Sequence, residues 1–63
     1  MMKLKEFWEK SYGISKYEIW YRGIVTYAKS LADIQEQLLD KTIEELEFEE
    51  NNGQIRCIIE LVN

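Results

Sequence analysis

The chain has no histidine and no proline, a single cysteine, and only three glycines in 63 residues. Without histidine there is no imidazole for general acid/base work and no Ser-His or Cys-His nucleophile pair, and one cysteine cannot form an internal disulfide or complete a His/Cys zinc set. No apolar run exceeds three residues, as in Ile19-Trp20-Tyr21 and Cys57-Ile58-Ile59. That is too short for a membrane span or for the apolar stretch of a secretory signal. The glycines at 13, 23 and 53 are isolated, so no glycine-rich loop is present to cradle a phosphate. These absences predict a protein that is not an enzyme, carries no cofactor or metal, stays off membranes and resides in the cytoplasm, with Cys57 as a small, reduced, buried hydrophobe.

What is present is 46% hydrophobic and 32% charged sequence, the profile of a folded chain. At this length it forms one small domain over residues 1–63, burying only about 60% of the surface its unfolded form exposes. The net charge of −4 is unevenly spread. Residues 1–32 carry six basic and three acidic side chains, a net of +3, whereas residues 33–63 carry two basic and nine acidic ones, a net of −7. A chain polarised in this way suits a partner with a basic surface, or a second copy of itself in antiparallel association. Direct nucleic-acid binding is disfavoured, because the overall sign is wrong and Lys16, Arg22 and Lys29 form no dense basic patch.

Leu4, Phe7, Trp8 and Tyr12 recur at helical spacing, predicting an amphipathic helix over residues 3–12 ended by Gly13, with Ile14 folding back on it. From Lys16 the pattern alternates: Tyr17, Ile19 and Tyr21 fall on one face, Glu18, Trp20 and Arg22 on the other. Arg22-Gly23 then makes a two-residue turn into a second strand, Ile24 to Ala28, pairing Tyr21 with Ile24 and Trp20 with Val25. Ser30-x-x-Asp33 reads as a short capping box opening a second helix, with Leu31, Ile34, Leu38 and Leu39 as its apolar stripe and an end near Asp40-Lys41.

Asn52-Gly53 between two alternating runs is a strong type I′ hairpin signal. Counting outward from it pairs Glu50 with Ile55, Glu49 with Arg56, Phe48 with Cys57, Glu47 with Ile58 and Leu46 with Ile59. Phe48, Leu46, Cys57, Ile59 and Leu61 then share one face. A rival pattern exists, since Leu31, Ile34, Leu38, Leu39, Ile43 and Leu46 also fit a single helix running to about Glu50, and glutamate favours helix over strand. The hairpin is preferred because a helix would leave the strand after Gly53 without its neighbour. The expected fold is α+β: two short helices packed on a four-stranded, mainly antiparallel sheet made of two hairpins.

Glu45, Glu47 and Glu49 alternate along one face of the third strand, about 6.6 to 6.8 Å apart, and Glu50 extends the row. Asp33, Glu36 and Asp40 add to the same acidic half. Such a row imitates a line of phosphates and fits a lysine- and arginine-lined surface; as plain surface chemistry it solubilises a strand and discourages edge pairing. Strand positions at alternate spacing do not wrap a cation, and no calcium-loop pattern is present. Trp20, Val25, Tyr27, Ile58 and Val62 lie on the face opposite Tyr17, Ile19 and Phe48. If both helices cover the latter side, Trp20 anchors an exposed interface; if one helix covers each side, Trp20 is core.

The opening Lys3-Leu4-Lys5-Glu6-Phe7-Trp8, the Tyr17-Glu18-Ile19-Trp20 strand, Ala32-Asp33-Ile34 leading to Leu38-Leu39-Asp40-Lys41, and the alternating C-terminal hairpin together resemble the small proteins of phages, prophages and other mobile elements of Gram-positive bacteria. That resemblance implies a non-catalytic cytoplasmic binding module in a bacterial host, an inhibitor that occludes a basic surface of a nucleic-acid-handling or defence protein in the manner of anti-CRISPR proteins. The alternative is a structural or accessory protein that acts through homo-oligomerisation, in its simplest form a homodimer.

Overall fold

A computed structural model describes residues 2–62; Met1 and Asn63 lie outside the described residues. The chain runs from helix α1 (Leu4–Lys10) through strands β1 (Lys16–Tyr21) and β2 (Ile24–Ala28), two 3-10 turns (Leu31–Asp33 and Glu36–Asp40), and strands β3 (Thr42–Asn51) and β4 (Gln54–Val62). The four strands form one sheet in the order β2-β1-β4-β3.

Both hairpins form in the expected register. Tyr21 pairs with Ile24 and Trp20 with Val25 across the first. Phe48 pairs with Cys57, Glu49 with Arg56 and Glu47 with Ile58 across the second. Both turns place two successive residues at positive φ, Arg22 (53°) with Gly23 (79°) and Asn52 (54°) with Gly53 (78°). This type I′ geometry matches the right-handed twist of the flanking strands. The rival helix through residues 42–50 does not form: the ten residues from Thr42 to Asn51 are strand, and cross-strand pairing overrides glutamate's local preference.

One expectation is refined and another corrected. The sheet is antiparallel in two of its three strand pairs but mixed, because the hairpins join through a parallel β1–β4 pair that aligns Ile19 with Ile59 and Trp20 with Glu60. β1 and β4 carry apolar residues on both faces, so they occupy the centre, and the glutamate-rich β3 becomes an edge. In place of a second α-helix stand two 3-10 turns separated by extended Ile34 (ψ 133°) and Gln35 (ψ 134°). This segment must cross from the β2 edge to the β3 edge, three strand spacings or about 14 Å. A 3-10 rise of about 2 Å per residue reaches further than an α-helix while still pointing Ile34 and Leu38 into the core. The Asp33 carboxylate accepts from the backbone N–H groups of Lys29 and Ser30 at 3.0 and 3.2 Å, which ties off the first turn and holds its pKa below the usual aspartate value.

Every buried residue among those described lies on one side of the sheet. Leu4, Tyr17, Ile19, Ala28, Ile34, Leu38, Ile43, Cys57, Ile59 and Leu61 form the core, with Phe7, Trp8, Ile14, Tyr21 and Leu39 packed around it. At seven residues α1 is too short to be stable alone and is held by docking. Its Trp8 ring stacks on Tyr17 with centroids 3.7 Å apart, and the Tyr17 hydroxyl meets Ser11 Oγ at 2.8 Å just beyond the helix end. The helix stops before Tyr12, which is 93% exposed and not part of the buried stripe. Cys57 is fully buried and its thiol is pushed up to about 11 by desolvation, so it packs as an unreactive hydrophobe. The second hairpin outruns the helical layer, leaving Phe48 58% and Leu46 40% exposed although they lie on the core side. No helix among the described residues is long and apolar enough to cross a membrane.

Candidate partner-binding face

Because α1 and both 3-10 turns pack on the Ile19 side, the opposite face of the sheet is left uncovered. Strand alternation places Glu18 and Trp20 of β1, Val25 and Tyr27 of β2, Arg56, Ile58, Glu60 and Val62 of β4, and Glu45, Glu47 and Glu49 of β3 on it. None of these side chains is buried. Trp20 is 38% exposed, which places it on the open sheet and excludes the arrangement with one helix on each face.

The apolar residues form a strip through the middle. Trp20 lies between Val25 and Glu60, and Ile58 between Glu18 and Glu47. Trp20, Glu45, Glu47, Ile58 and Glu60 line a shallow depression of about 220 Å³. At one end the polar groups are locked together. Trp20 Nε1 donates to Glu18 at 2.7 Å, and the Arg56 guanidinium bonds both Glu18, at 3.1 Å, and Glu49. Those partners raise the Arg56 pKa, with the Glu49 hydrogen bond the largest cause, so it stays charged at every working pH.

At the other end the carboxylates crowd together without an ion pair among the described residues, and Arg22 lines a depression with Glu44 and Glu60. Glu45 faces Glu60 directly across the β3–β4 pair, and like charges in that position destabilise a sheet. A β-bulge between Ile43 and Glu45 brings Glu44 alongside, so that carboxylate oxygens of Glu44, Glu45 and Glu60 lie within 4.8 Å of one another. Among the described residues none of Glu45, Glu47 and Glu60 has an ion pair. These exposed carboxylates are a focus of negative potential beside an indole.

The residues singled out from sequence divide. Trp20, Glu45, Glu47 and Glu49 come together on the open face. Glu50 pairs with Ile55 and points to the Phe48 side. Asp33, Glu36 and Asp40 belong to the crossing segment on the covered face, and Asp33 is occupied with the backbone of Lys29 and Ser30. Glu18 and Glu60 were missed. Alternation within β1 sets Glu18 beside Trp20, but only the parallel β1–β4 register brings Glu60 there, and no local pattern encodes that. Lys16, Lys29 and Arg56 line one depression together with Asp33, Tyr17 and Tyr27, where Arg56 is already held by its two glutamates.

No family model matches the chain, and neither a curated protein nor a solved structure matches it.

Proposed function

We propose that the protein is a non-catalytic binding module that docks its open sheet face on a basic surface of another protein. The observation that carries this reading is the uncovered strip of Trp20, Val25, Ile58 and Tyr27 bordered by glutamates, of which Glu45, Glu47 and Glu60 form no ion pair among the described residues. Lysine and arginine match such a face, since their aliphatic stems cover apolar surface while their heads reach the carboxylates. An indole in a partly desolvated depression is a typical energetic anchor. Phosphate-like spacing of the glutamates favours a target that handles nucleic acid, whose basic groove the module occludes. In keeping with the resemblance to mobile-element proteins, the target is a nucleic-acid-handling or defence protein of a bacterial host, and the module works as an inhibitor in its cytoplasm.

Homo-oligomerisation through this face is the weaker reading, because stacking two copies opposes two acidic surfaces. The test is capture from a bacterial lysate with the tagged protein at low and high salt, beside W20A and an E45K/E47K/E49K variant. A nucleic-acid-handling protein is expected to be retained stoichiometrically at low salt, released at high salt and lost with either variant, and its activity on nucleic acid is expected to fall in the complex. Equal capture by the triple variant, or full target activity in a stoichiometric complex, would overturn the reading.

A further inference from the structure

β3 is an edge strand, and only its foot is occupied on the outer side. Lys3 bridges Thr42, Ile43 donates its N–H to the Met2 carbonyl at 2.9 Å, and Leu4 donates to the Lys41 carbonyl at 3.0 Å. Beyond the bulge no described segment runs along the outer edge. The two-residue type I′ turn makes Asn51–Gln54 the hydrogen-bonded closing pair. Alternation from that pair turns the backbone groups of Glu49, Glu47 and Glu45 toward β4 and those of Glu50, Phe48 and Leu46 outward. Three backbone donors and three acceptors are thus offered in a row, on a strand with no proline and with its bulge at the foot, away from this stretch.

The two sides of this edge differ in chemistry. On the core side Leu46 and Phe48 are 40% and 58% exposed, beyond the reach of α1. On the open side Glu45 and Glu47 have no ion pair among the described residues. A strand laid against β3 would set its alternate side chains beside these two rows, about 4.5 to 5.5 Å between Cβ atoms. A second copy of β3 is a poor occupant, because antiparallel pairing along Leu46–Glu50 sets glutamates of one copy opposite glutamates of the other.

We propose that the outer edge of β3 between Leu46 and Glu50 receives an extended segment of a partner protein in which lysine or arginine alternates with aliphatic or aromatic residues, adding a fifth strand to the sheet. The cationic positions lie beside Glu45 and Glu47, and the apolar ones cover Leu46 and Phe48. This gives the basic partner of the proposed function a specific form, and it rests on that reading only for the sign of the partner's charge.

The experiment uses the full chain, isotope-labelled, with two synthetic peptides of identical composition: one alternating lysine and valine, the other with its lysines and valines in separate blocks. The alternating peptide is expected to bind at least tenfold more tightly. It should slow amide exchange at Leu46, Phe48 and Glu50 at least tenfold, leaving Glu45, Glu47 and Glu49 as protected as before. F48P removes an outward N–H and leaves the β4 ladder intact; it should lower peptide affinity at least tenfold. W20A should leave peptide affinity within about twofold. E45K/E47K keeps every backbone group, stands in for F48P if that variant does not fold, and should abolish peptide binding. Equal binding of both peptides without new protection at Leu46, Phe48 and Glu50 would overturn strand addition while leaving the open-face reading standing, and so would absence of peptide binding. Concentration-dependent protection of those three amides in the free protein would overturn the proposal by assigning the edge to a second copy.

Discussion

Ile19 and Trp20 are consecutive residues of β1, and they end in opposite environments. Ile19 is completely buried among Leu4, Tyr17 and Ile59, whereas Trp20 stands on an open surface beside Glu18 and Glu60. The same division runs through β4, where Cys57, Ile59 and Leu61 are buried and Ile58 and Glu60 are not. The first face gathers the residues that make the chain fold. The second keeps apolar side chains in water and carries a Glu45–Glu60 opposition that works against folding. Local conflict of this kind is expected where a surface is shaped for binding.

Truncating the two neighbours separates the faces most strongly. I19A should destabilise the fold by about 2–5 kcal/mol through lost burial and a residual cavity. That is most of the roughly 3–9 kcal/mol expected for a domain of this size, so the variant should be largely unfolded or close to it in urea or thermal titrations. W20A should cost about 1 kcal/mol and keep a native spectrum, while partner capture is lost. Comparable destabilisation by both substitutions would mean that Trp20 is core and the faces are not divided as described.

The division is partly legible in the sequence. Whether a helix covers the Trp20 side is left open by the sequence, although alternation in residues 16–22 and 46–61 and the two turns put Ile19 and Trp20 on opposite faces and fix both hairpin registers; that much follows from the order of residues alone. How the hairpins join does not. The parallel β1–β4 pair is a contact between strands some forty residues apart, and it alone brings Glu60 next to Trp20. The two turns at Leu31–Asp33 and Glu36–Asp40 also escape a reading based on helical spacing, because their apolar residues recur as in a helix while the distance to be crossed dictates a more extended path. The bulge that gathers Glu44 with Glu45 follows from neither pattern.

Smaller effects sharpen the contrast. E60Q relieves the opposition with Glu45 and should raise unfolding stability by about 0.2–1 kcal/mol while weakening partner capture. A gain in stability with undiminished capture would make Glu60 a bystander. The smallest effect belongs to the covered side. Asp33 has a lowered pKa because its carboxylate accepts two backbone N–H groups. Its contribution is therefore present above the ordinary aspartate value and lost as pH falls through the lowered one. Wild type should exceed D33N in urea midpoint at about pH 6, and the difference should shrink as pH falls below the ordinary aspartate range. A difference that persists in acid would assign the effect to packing.

That Trp20 stands on an open and electronegative face is tested most directly by collisional quenching of its fluorescence in a W8F background. Caesium and iodide are compared at equal ionic strength, with W20F as the control that reports Trp8 alone. With each ion's quenching constant normalised to that of N-acetyltryptophanamide, caesium, drawn in by Glu45, Glu47 and Glu60, should quench Trp20 several-fold more efficiently than iodide, and the preference should fade as sodium chloride is raised. Shielding of Trp20 from both ions, or a normalised preference for iodide, would contradict this placement.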